Sequence, residues 1–159
     1  MLFRSILEIL ARDELPRVRA IIADELKNAD NVPKPLILRL ANDLEDIVAA
    51  PILEYSPLLN QADLLELLAR GMRTRKAIAL AKRRNLDEAV SDALVAKNDL
   101  HAIGALVANK GAKISVKAFD IIAEKAEMNN DWHNAMVYRD DLPLRTIRSE
   151  EHTSELQSH

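Results

Sequence analysis

Apolar residues recur along this chain at helical spacing, in short bursts that each close on a polar junction after two or three turns. The stretch from Arg73 to Val107 shows the pattern best: three apolar-faced segments, none long enough to shield its own face. Such segments are stable only when neighbours stack on both sides, which is the logic of a helical repeat array.

Taken in order, the pattern predicts helices almost throughout. Leu7 and Leu10 begin a short one. Pro16 stands in the first turn of the next, where its missing N–H costs nothing. Val18, Ile21, Ile22 and Leu26 then keep the spacing of a single buried face. Pro33 and Pro35 open a helix that stops at Asn42. Pro51 falls inside the next apolar pattern and predicts a kink over 47–50, because a mid-helix proline removes a backbone hydrogen bond and crowds the preceding turn. Asn60 and Asp63 have the spacing of a capping box, and Gly71 supplies a left-handed stop. Asn85 and Glu88 repeat the box arrangement, and Asn98 with Asp99 closes one helix and starts another. Ile114, Ala118, Ile121 and Ile122 mark a further helix; Trp132, Ala135 and Met136 mark the last before Pro143.

The junctions are periodic. A polar pair ending in Asp recurs at Asp13, Asp43, Asp99 and Asp131, with Gly71-Met72 near the middle of the long gap, so units of about 30 residues repeat along the chain. An Asp at each site could cap the following helix, worth about 0.5–2 kcal/mol apiece. Chance recurrence of Asn and Asp in turns is the competing explanation. The expected fold is all-α: an α-solenoid of about five HEAT-like antiparallel helix pairs.

Both ends carry another signature. Residues 148–159 (RSEEHTSELQSH) resemble the translation of a sequencing adapter, and residues 2–5 (LFRS) resemble its inverted partner. Residues 1–5 are therefore expected to be a scar, 6–147 the helical repeat domain and 148–159 a disordered tail. Without Arg4, Arg148, Glu150, Glu151 and Glu155 the formal charge of −3 becomes −2. That balance exerts no global pull toward nucleic acid or membrane. The absence of cysteine suits a reducing compartment, no apolar run is long enough to span a membrane and no signal-peptide pattern is visible.

Candidate chemistry is sparse. Arg70, Arg73, Arg75, Lys76, Lys82, Arg83 and Arg84 fall within fifteen residues that contain no acid. In a near-neutral chain this is a local positive patch, able to steer an acidic protein segment or a phosphate backbone. The competing reading is a solvated face, its charge partly consumed by Glu66, Asp87 and Glu88. His133 lies among Asp131, Asp140 and Asp141, but Asp131 and His133 are two apart and share no helix face, so no metal site is expected. Trp132 reads as a core residue or as an aromatic anchor. Phosphate loops, nucleophile elbows and Cys/His frameworks are missing, and the four aromatics of 6–147 are scattered, which argues against an enzyme of the base-flipping kind and against any cofactor.

Three blocks carry a family resemblance: ANDLEDIVAAPILEYSPLL at 41–59, the run from Ala77 to Ser115, and RDDLP at 139–143. Their most specific parts are Ala49 to Leu53 with Ser56 to Leu59, and Asn85 to Val95. Together they resemble the bacterial domain-of-unknown-function family 2336, found mainly in alphaproteobacteria. The resemblance implies a HEAT-like repeat domain of a cytoplasmic protein with no established activity. It also implies that the domain continues past RDDLP, so that 6–147 is truncated. The expected function is a non-enzymatic scaffold for protein–protein interaction, with Arg73, Arg75, Lys76, Arg83 and Arg84 as partner-binding residues, the first three on or near a groove lined by the second helix of each pair. Arg17, Glu45 and Asp46 stand on earlier rungs. The expected partner is another protein, with an acidic segment as the candidate contact, and no membrane and no small-molecule substrate. The alternative is a nucleic-acid-binding array that uses the same basic patch.

Overall fold

A computed structural model describes residues 8–12, 15–127 and 129–143, and the described residues are helical with no strand. The segments assigned to adapter, 1–5 and 148–159, lie outside them, as do Leu7 and Asp13. Residues 8–11 are helical, and nine bounded helices follow: α1 (Pro16–Leu26), α2 (Lys34–Ala41), α3 (Asp46–Tyr55), α4 (Gln61–Ala69), α5 (Thr74–Ala81), α6 (Glu88–Ala96), α7 (Leu100–Ala108), α8 (Val116–Ala126) and α9 (Asn130–Val137). Helices this short are marginal alone and take their stability from packing.

Local sequence sets most boundaries. Pro16 stands at the start of α1, and Pro33 with Pro35 frames the start of α2. Asn60 accepts the Asp63 N–H while Asp63 accepts the Asn60 N–H, both at 2.9 Å, which is the expected box at the start of α4. Gly71 follows α4 with φ +98°, and Asn98 closes α6 with φ 63°, left-handed conformations that suit those two residue types. The Asp99 carboxylate accepts the N–H groups of His101 and Ala102 and caps α7. Pro51 lies inside α3, which continues through it to Tyr55.

Four local expectations are corrected. Ile21 is 65% exposed, and the buried face of α1 is Ile22, Ala23 and Leu26. Asn85 does not cap α6; the helix starts after Asp87, and neighbouring Leu86 is instead bridged to Ala112, with the Lys113 N–H donating to the Leu86 carbonyl at 2.9 Å. Asn129 rather than Asp131 caps α9. Asp43 is not the cap of α3, which follows Glu45; its carboxylate accepts the Glu45 N–H and serves mainly to hold Arg19.

The helices pack in two rows. Each odd-numbered helix lies against the next odd one, α1 on α3, α3 on α5, α5 on α7 and α7 on α9; among the even helices α4 lies on α6 and α6 on α8. Odd helices begin at Pro16, Asp46, Thr74, Leu100 and Asn130, so a start recurs every 26 to 30 residues, as the junction spacing predicts. The core runs between the rows as one ribbon of Leu, Ile, Val and Ala, with Phe119 as its largest fully buried side chain. Trp132, 6% exposed, belongs to this core; its indole fills the space above Gly104, where an added Cβ would come within 2.7 Å of Nε1.

Candidate functional site

The odd helices run parallel, because like ends meet at both edges of the row. At the C-terminal edge a side chain from each later helix reaches back to the one before. Arg83 donates to the carbonyls of Leu53 and Ser56, both at 2.7 Å. Asn109 donates to those of Ala81 (2.8 Å) and Arg83 (2.6 Å). Arg139 donates to those of Val107 (3.1 Å), Asn109 and Ala112 (both 2.6 Å), and the Asp141 carboxylate steadies its guanidinium. Between α1 and α3 the contact is the Lys27 ammonium over the Tyr55 ring, 5.0 Å from its centre.

This ladder has a local cause. The last carbonyls of a helix lack intrahelical donors. The Leu53 carbonyl would look to residue 57 for its donor, and residue 57 is Pro, which has no N–H. Arg83 supplies the missing donor, and its positive charge suits the negative end of α3. Burial lowers the Arg83 pKa from the usual guanidinium value. The loop after α7 is seated equally closely, since a Cβ on Gly111 would overlap the Arg84 carbonyl.

The N-terminal edge is built around Asp43. Its carboxylate takes the Arg19 guanidinium in a fork, at 2.7 and 3.1 Å, and its carbonyl takes the Lys76 ammonium. One residue thus ties the first turns of α1 and α5 to the loop that precedes α3. Arg70 reaches Asn42 from the neighbouring loop at 3.4 Å, so the loops over 42–45 and 70–73 lie side by side. On this edge Arg17, Arg73 and Arg75 are exposed, Leu44 is 85% exposed and Ile47 is 49% exposed. Glu45, beside Leu44, is an exposed acid of this edge.

The seven cations of 70–84 therefore do not form one patch. Arg73 and Arg75 stand free at the start of α5, and Lys76 beside them is half-buried and spent on Asp43. Arg70 pairs with Glu66 at 2.6 Å. Arg83 turns inward, and Lys82 and Arg84 are exposed at the far end of α5, on the order of 12 Å away along the helix. Sequence reasoning missed Asp43, Asn109 and Arg139 as organising residues. One signal was available: Arg83 and Arg139 reach back over the same two intervals, 30 and 27 residues, as equivalent positions two units apart would.

Beside this edge opens a cleft of about 390 Å³ between α2 and α4. Pro35, Leu38, Arg39 and Asn42 form one wall and Asp63, Glu66, Leu67 and Arg70 the other, each an i, i+3, i+4, i+7 stripe. Lys34 and Asp63 close one end at 2.7 Å, and the Arg70–Asn42 contact closes the other. Burial pushes the Asp63 carboxyl up, but the Lys34 hydrogen bond, the Asn60 N–H and the Lys34 charge outweigh it, and the pKa lies below the ordinary Asp value. Among the described residues no group of three or more His, Cys, Asp or Glu is placed to hold a metal ion, and no helix is long and apolar enough to cross a membrane.

These features define an all-helical arrangement of the described residues, with a tightly bonded C-terminal edge and a loop edge carrying exposed arginines and leucine. The chain belongs to a family of uncharacterised proteins conserved in bacteria (DUF2336), whose model matches residues 48–151. No curated protein and no solved structure matches it.

Proposed function

We propose that this chain is a non-enzymatic scaffold, an α-solenoid of stacked HEAT-like helix pairs that works in the cytoplasm and binds an acidic segment of another protein along its loop edge. The connections alternate between the two edges, so each even helix runs against its odd neighbours, as in a stack of helical hairpins. The observation that carries the binding reading is the side-by-side placement of 42–45 and 70–73. It sets Arg73 and Arg75, unpaired with any described acid, beside the exposed Leu44 and Ile47. Arginine with apolar side chains is a composition favoured at protein interfaces. The inward turn of Arg83 shortens the basic track and weakens the nucleic-acid alternative.

A photo-crosslinking residue at Thr74, exposed between the two arginines, tests this in bacterial cells. Crosslinks are expected in an acidic stretch of one or a few proteins, and the double variant Arg73→Glu/Arg75→Glu should reduce them at least tenfold while helicity is unchanged. Lys76 is kept in that variant because it serves the fold. Crosslinks indifferent to the charge reversal would defeat the reading. Crosslinks to nucleic acid instead, with affinity for duplex falling steeply with log salt, would replace it with the alternative.

A further inference from the structure

We infer that the α2/α4 cleft receives an acidic amphipathic helix of the partner, lying antiparallel to α2 and α4 with its first turn at Arg39. The inference rests on the scaffold reading and names how the partner is held. Elsewhere in the even row one helix fills the face of the next, α4 against α6 and α6 against α8, whereas between α2 and α4 a cleft opens, spanned at its ends by the Lys34–Asp63 and Arg70–Asn42 contacts. Their facing stripes span seven residues, roughly 10 Å or two helical turns. Pro35, Leu38 and Leu67 supply an apolar floor, which suits the helix-in-groove mode of recognition.

Charge fixes the sense and character of the guest. Asp63 is neutralised by Lys34 and Glu66 by Arg70, so Arg39, exposed and unpaired, leaves the cleft with a spare positive charge at its end nearest Arg73. Acids are favoured in the first turn of a helix. A helix whose acidic first turn meets Arg39 runs antiparallel to both walls and opposes their dipoles favourably. Its apolar side chains at i and i+4 then reach Leu38 and Leu67. Acids ahead of its first turn continue along Arg73 and Arg75.

The test is fluorescence anisotropy on the full chain. The probe is a fluorescein-labelled peptide of about fourteen residues with a Ser-Asp-Glu-Glu start and leucines at i and i+4. Saturable binding by the wild type is expected, weakened at least tenfold by Arg39→Glu and by Leu38→Lys. A peptide with a lysine-rich first turn should regain binding to Arg39→Glu, and that rescue shows the variant to be folded. Unaltered affinity in both cleft variants, or no saturation by the wild type up to about 1 mM, overturns the inference. If Arg73→Glu/Arg75→Glu loses the photo-crosslinks while the cleft variants keep them, the cleft assignment fails and the scaffold reading stands. Crosslinks unchanged in all three sink both.

Discussion

Arg83 and Arg84 are neighbours in sequence with opposite environments. The first donates into two carbonyls at the end of α3, and the second is exposed beyond the end of α5. Removing a donor from buried carbonyls costs about 1–3 kcal/mol per group left unsatisfied, whereas a surface charge is worth within about 0.5 kcal/mol. Arg83→Ala is therefore expected to lower stability by about 2 kcal/mol or more, a fall in Tm of roughly 4–8 °C, and Arg84→Ala to leave Tm nearly unchanged. Thermal melts followed by circular dichroism decide it, and equal effects from the two would mean that the reach-back bonds contribute little. The pair also shows a limit of sequence reasoning at this scale. Composition supplies the charge of both residues, but their direction depends on a proline-broken helix end some thirty residues upstream.

The helix start at Asn60 joins two interactions in one carboxylate. Asp63 closes the capping box of α4 and pairs with Lys34 of α2, with its side chain only 15% exposed. Its pKa is lowered in the folded chain, so the stability it contributes is complete above the unfolded Asp value of about 3.9 and is lost as pH falls through the lower folded value. The stability advantage of the wild type over Asp63→Asn should therefore be full at pH 7 and shrink as pH falls below about 4, in denaturant titrations across that range. An advantage constant down to pH 2 would mean that the carboxylate charge is irrelevant there. Caps of this kind explain why elements were largely legible: Pro16, Asn60, Gly71 and Asp99 act within one turn of themselves, so their spacing suffices. Asn85 misled because its neighbour Leu86 is claimed by Ala112, in a loop one unit later. Ile21 misled because several helical stripes in α1 satisfy the same spacing, and only the neighbouring helices select one.

For the whole molecule, the junction period was readable because one polar loop per unit is needed to turn the chain. The candidate site was less so: the run of cations in 70–84 is split between the two edges of the row, and Asp43, which gathers one of those edges, resembles any turn residue in sequence. The proposed scaffold requires units laid side by side in an open row and not wrapped into a closed bundle. The chain has no cysteine, so Arg17→Cys and Asn134→Cys, both exposed, place one spin label on α1 and one on α9 with no background labelling. Four helix-to-helix steps of about 8–10 Å each separate those helices in the row. Double electron–electron resonance should give a single main distance above about 30 Å, whereas a main distance below about 20 Å would contradict the row and the scaffold built on it.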